Sequence, residues 1–201
     1  MTEPITADPL LISDDAPAKE TERRMLDRLN VRYGSFNGNG IRYARAEHVK
    51  VSAGFDARRI CDYMALDLWP GGYGKEAGPK LHGHEVKVSR ADWLTERRDP
   101  EKAEAFRRYC DYWWLVVSDR SIVKPGELPE GWGLLVASGN TVRASKPAEL
   151  NADVEPLPRH VQATLTRAVT KTTIRLAHGG DRAMSFLATR MNLPSAQEGT
   201  S

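Results

Sequence analysis

The sequence predicts a mixed α/β domain, on three observations. Some stretches place apolar residues at helical spacing, while others are short β-branched or aromatic runs. Their order is helix, three strands, helix, strand, hairpin and C-terminal helices. The chain has 201 residues, 40% hydrophobic and 28% charged, enough for one domain with a substantial core.

The first helix is read from "AKETERRMLDRLNVRYG" (18–34), where Met25, Leu26 and Leu29 share a stripe and Gly34 offers a stop. "NGNG" at 37–40 is turn chemistry, and "IRYARAEHVKV" after it reads as a strand with imperfect alternation. "RICDYMALDLW" is the second strand, the loop "PGGYGKEAGPK" interrupts, and "LHGHEVKV" is the third strand. "SRADW" opens a helix with a Ser-x-x-Asp arrangement. In "DPEKAEAFRRYC", Asp99 suits the N-cap, Pro100 suits the first helical position, and Ala103, Phe106 and Cys110 share a face. "YWWLVV" is continuously apolar, as a strand covered on both faces requires. "GWGLLVAS" and "TVRAS", joined by Gly139 and Asn140, form a closing hairpin. Last, "RHVQATLTRAVTKTTIRLA" puts Val161, Leu165, Ala168 and Leu176 on one face and Arg167, Lys171 and Arg175 on another.

Both chain ends are aperiodic and rich in small or turn-forming residues, so disordered tails are expected over 1–17 and 193–201. Between them lie a core at 18–150 and a C-terminal helical extension with a basic face at 151–192. A net charge of +2 excludes the whole-molecule basicity of a non-specific nucleic-acid coat, so any phosphate-binding surface is local. Cys61 and Cys110 lack CxxC spacing, which argues against a zinc site or disulfide framework and for a reduced, cytoplasmic setting. No basic start precedes an apolar stretch, and no run approaches the roughly 20 apolar residues of a membrane span, so neither signal peptide nor membrane partner is expected.

The chemistry concentrates in "HGHEVKVSRADW" (82–93). Glu85 and Lys87 lie two positions apart, so a strand points both to one face. A symmetric antiparallel pairing of the second and third strands brings Asp62 opposite residues 86–88, onto that same face, although a one-residue slip would separate them. Asp67, five residues on, points the other way. Adjacent carboxylates repel unless neutralised, and a hard divalent cation such as Mg²⁺ does this with one or two carboxylates, to which the Val86 carbonyl adds a third protein oxygen. Such an ion with a lysine alongside suits phosphodiester hydrolysis: the metal polarises a phosphoryl oxygen, while Lys87 positions or deprotonates the attacking water and screens developing charge. The same acid-x-base pattern also serves as a plain cross-strand salt bridge.

The order of elements, with Asp62 opening one strand and "Glu85-Val86-Lys87" on the next, resembles the core of the PD-(D/E)XK, or restriction-endonuclease-like, superfamily. "RRICDYMAL", "HEVKVSRADW", "KAEAFRRYCDYWWLVV" and "LPEGWGLLVAS", spanning about residues 58–138, are similar to the MmcB-like DNA-repair nucleases and related bacteriophage proteins. The resemblance implies a restriction-endonuclease-like fold and a DNA endonuclease working with Mg²⁺ or Mn²⁺. It further implies Asp62 and Glu85 as metal ligands, Lys87 as the catalytic lysine, and a phosphate contact from Lys102. Superfamily members often supply another acid from the first helix. Glu22 precedes Met25, Leu26 and Leu29 by three, four and seven residues and so lies on the inward stripe, whereas Glu20 faces elsewhere. An N-terminal acid favoured by the helix dipole is the other reading of Glu22, and Glu47 is a reserve ligand. Two departures stand out: the loop between the metal-bearing strands is longer than in the family, which bears on register, and Phe106 stands where a tyrosine is expected.

His82 and His84 flank Glu85 but point to the opposite face, which suits packing better than ligation. Trp113 and Trp114 read as core rather than as base-stacking platforms. Arg167, Lys171 and Arg175, with Arg159, Arg182 and Arg190 nearby, form either a DNA-backbone surface or a solvated helix face. Two alternatives to a DNA endonuclease stay open: a catalytically silent DNA-binding module of the same fold, and a nuclease acting on RNA or branched DNA.

Overall fold

The computed structural model describes residues 20–34, 36–37, 40–51, 59–71 and 78–178; the expected tails, and Arg182 and Arg190 with them, lie outside the described residues. Helix α1 (Glu22–Arg32) starts at Thr21, whose hydroxyl accepts from the Arg24 amide, and it buries Met25, Leu26 and Leu29. A short antiparallel pair, β1 (Phe36–Asn37) with β2 (Gly40–Ile41), follows. Then come β3 (Tyr43–Lys50), β4 (Ile60–Asp67) and β5 (Lys80–Lys87). Helix α2 (Arg90–Glu96) is capped by Ser89, which accepts from the Asp92 amide, and α3 (Pro100–Arg107) has proline in its first turn. Strands β6 (Tyr112–Val117), β7 (Gly133–Ser138) and β8 (Thr141–Lys146) and helix α4 (Arg159–His178) complete the chain.

Strands β3 to β8 form one sheet in sequence order. The pairs β3/β4, β4/β5 and β7/β8 are antiparallel, whereas β5/β6 and β6/β7 are parallel. Parallel neighbours need a crossover, and α2 with α3 supplies it between β5 and β6. The mixed α/β architecture is therefore as the sequence predicts.

Helices cover both faces of the sheet. On one, Met25, Leu26, Leu29 and Tyr33 pack over Tyr63, Val86, Trp114 and Val116; on the other, Trp93, Ala103 and Phe106 pack over Met64, Trp113, Leu115 and Val117. Trp113 and Trp114 are core, as read from the sequence, and as neighbours in a strand they serve opposite faces. Each indole lies on a glycine of an adjacent strand. A Cβ at Gly83 would stand 2.3 Å from Trp113, and one at Gly133 would stand 2.3 Å from Trp114. His84 is fully buried on the α1 side; since the Tyr63 carbonyl only accepts, Nδ1 carries the proton, at 3.2 Å, and Nε2 accepts from the Tyr33 hydroxyl at 2.8 Å.

Helix α4 packs along the outer edge of β3. The Thr164 hydroxyl donates to the Lys50 carbonyl at 2.6 Å, and Thr172 Oγ1 accepts from the Glu47 amide at 2.9 Å, so the helix satisfies backbone groups that an edge strand would leave open. One expectation is corrected here. Arg175 does not belong to an exposed basic stripe: its guanidinium holds both Glu47 oxygens, at 3.0 and 2.5 Å, and only Arg167 and Lys171 of the three are exposed. Leu176 likewise leaves the apolar face and is exposed. Cys61 and Cys110 are buried free thiols, and among the described residues no helix is long and apolar enough to cross a membrane.

Candidate active site

Pairing of β4 with β5 ends at Tyr63↔His84, which sets Asp62 level with Glu85 rather than with residues 86–88. The symmetric-loop expectation was off in register, yet the two acids are level on neighbouring strands. On the other side, β3 pairs through Glu47↔Tyr63 and Val49↔Cys61, so His48 is level with Asp62. A row His48, Asp62, Glu85 thus crosses three adjacent strands. Beyond it β4 leaves β5, and the Val86 amide, with no strand partner there, donates to Asp62 Oδ2 at 2.8 Å. The Lys87 carbonyl accepts from Ser118 on the β6 side; by alternation, the Val86 carbonyl turns the opposite way, toward Asp62.

Glu85 is buried and accepts from two ammonium groups at one oxygen: Lys87 Nζ at 2.5 Å and Lys102 Nζ at 3.1 Å. Both lysines also reach Glu96 Oε2, at 2.9 and 2.7 Å. The result is a closed ring of two acids and two bases from β5, α2 and α3. Lys102 therefore belongs to this ring, where the sequence reading expected a phosphate contact. Glu96 was missed; it stands three residues after the buried Trp93, a spacing that puts both on one helix face.

Burial is the main force on the acids. It pushes the Asp62 and Glu85 carboxyls up, against the Val86 amide and Lys87 for Asp62; the charge of Asp62 pushes Glu85 further the same way. Burial would lower Lys87, but the carboxylates of Glu85 and Glu96 outweigh it and hold the ammonium protonated. Glu96 is pulled down, because its bonds from Lys102 and Lys87 outweigh its burial.

Glu22, on the first turn of α1, is brought to the same place. Its Oε1 lies 3.7 Å from His48 Nδ1, and one ligand atom each of Glu22, His48 and Asp62 lies within 4.8 Å of the others. Glu20 faces elsewhere, as expected, and bonds Arg28 at 2.5 and 2.9 Å. Glu47 is no ligand: Arg23, Arg175 and Asn30 occupy both of its oxygens. His48 was missed because alternation alone does not aim it. Its backbone is left-handed, with φ 52, where the 48–62 rung of the ladder is absent.

Asp62 Oδ1 and Glu85 Oε2 carry no hydrogen bond among the described residues, and with the Val86 carbonyl they offer hard oxygens on neighbouring strands; the ligand atoms that lie within 4.8 Å of one another are those of Glu22, His48 and Asp62. The oxygen set fits Mg²⁺ or Mn²⁺. No protein-family model and no curated protein matches the chain. A protein of unknown function from Silicibacter pomeroyi, SPO1766, is similar in structure with a TM-score of 0.49 at 18% identity, covering 91% of this chain and 99% of that one.

Proposed function

We propose that the chain is a metal-dependent phosphodiesterase of restriction-endonuclease-like fold that cuts DNA. The observation that carries this reading is the row itself: Asp62 and Glu85 level on neighbouring strands, Lys87 against Glu85, and a Val86 amide that donates to Asp62 where β4 leaves β5. Asp62, Glu85 and the Val86 carbonyl would hold Mg²⁺ or Mn²⁺, which supplies Lewis acidity toward a phosphoryl oxygen and the attacking water. Lys87, held protonated between Glu85 and Glu96, acts as an orienting and charge-screening group rather than as a resting base. Lys102 meets the same Glu85 oxygen and is the more exposed of the two lysines, so it is the one free to turn outward to a phosphate when a cation takes over Glu85.

A second reading, a DNA-binding module without chemistry, is favoured by one observation: the ring of Glu85, Lys87, Glu96 and Lys102 is already neutral without a metal. The two are separated by incubating supercoiled, single-stranded and branched DNA, and RNA, with Mg²⁺ or Mn²⁺ against EDTA controls. Cleavage is expected with metal and should fall at least about 100-fold in Glu85→Gln and Lys87→Ala, with circular dichroism unchanged. Binding without cleavage across metals and substrates would leave the module.

A further inference from the structure

The described buried carboxylates share one habit: each carries an arginine or lysine. Glu47 has Arg23 and Arg175, Asp67 has Arg42, and Glu85 and Glu96 have Lys87 and Lys102. Asp62 breaks it. Among the described residues it accepts a hydrogen bond from the Val86 amide alone, and at ligand distance stand another acid, Glu22, and an imidazole, His48. Glu22 has no arginine or lysine ion pair either among the described residues. Two carboxylates and a ring nitrogen, contributed by α1, β3 and β4, stand together without an arginine or lysine in direct contact among the described residues. Their ligand atoms lie within 4.8 Å, while donors around a bound first-row ion stand about 3 to 4.4 Å apart, so little contraction is needed.

We propose that Glu22, His48 and Asp62 form a mixed nitrogen and oxygen seat for a first-row transition ion of the Mn²⁺ class, beside the oxygen seat and sharing Asp62 with it. The inference rests on the phosphodiesterase reading for its role but not for its existence. An imidazole donor favours first-row transition ions, whereas Mg²⁺ prefers oxygen and water, so His48 makes this seat discriminate between the two metals. The left-handed backbone at His48 sets its ring beside Asp62 on a rung where the ladder is interrupted.

Mn²⁺ titration of the full chain followed by pulsed electron paramagnetic resonance tests this directly. Wild type is expected to bind Mn²⁺ with ¹⁴N coupling from one imidazole. His48→Asn, chosen because asparagine tolerates the left-handed backbone, should lose that coupling and bind Mn²⁺ about 10-fold more weakly, while Mg²⁺ affinity measured by competition changes less than 3-fold. Circular dichroism of the variant checks folding. Bound Mn²⁺ without nitrogen coupling in wild type, equal Mn²⁺ affinity in wild type and variant, or no Mn²⁺ binding at millimolar metal each overturns the seat. Nitrogen-coupled Mn²⁺ without cleavage of any nucleic acid would keep the seat and defeat the phosphodiesterase reading. Cleavage with Mn²⁺ that lacks the coupling would do the reverse.

Discussion

Asp62 is kept in surroundings that disfavour its charge. Burial raises its carboxyl, and Glu22 adds to the effect. A folded-state value above the unfolded one means that this group's contribution to stability is fullest below the unfolded value of about 3.9 and is lost as pH rises through the raised folded value. In metal-free protein, ionised Asp62 is thus a burden near neutrality. Asp62→Asn keeps an oxygen for the Val86 amide and removes the charge. In EDTA its melting temperature should exceed wild type by about 2–5 °C at pH 8, with the gap closing toward pH 4; a gap independent of pH would refute the assignment. Asp62, Glu85 and Lys87 were readable in the sequence because a strand alternates with period two and needs only the right pairing to align them. His48 was not readable, since its direction comes from an interrupted rung rather than from the period.

The contact of α4 with β3 turns on Glu47. Burial alone would raise this carboxyl, but hydrogen bonds from Arg23, Arg175 and Asn30 bring it down to about 2. A lowered value contributes stability above the unfolded value of about 4.3, lost as pH falls toward 2. Glu47→Gln should cost about 3 kcal/mol at pH 7, because Arg23 and Arg175 are left without their partner. Chemical denaturation of wild type and variant would show that difference shrinking between about pH 4 and pH 2; a constant difference would mean that the pair contributes through shape rather than charge. The helices and strands were largely visible beforehand, since stripes and turn residues are local signals. What joins them was not. The apolar face of α4 follows from its own spacing, but the inward turn of Arg175 depends on an acid 128 positions away. The register of β4 on β5 likewise depends on where β4 leaves its neighbour rather than on the midpoint of the loop.

The chain carries a net charge of only +2, so attraction to nucleic acid has to come from local groups. Arg167 and Lys171 are exposed on α4, whereas Arg175 is spent on Glu47. If α4 contacts the DNA backbone, Arg167→Glu with Lys171→Glu should weaken binding of duplexes of any sequence alike and lower the slope of log affinity against log salt by about 2. An unchanged slope in a filter-binding or anisotropy titration would assign those residues to solvent. The hydroxyls of Thr164 and Thr172 have a consequence for association between copies. They occupy the Lys50 carbonyl and the Glu47 amide along the flank of β3. A molecule whose last helix had come away would expose that flank as a template, and a second copy could add its own β3 alongside, fusing two sheets into one continuous ribbon.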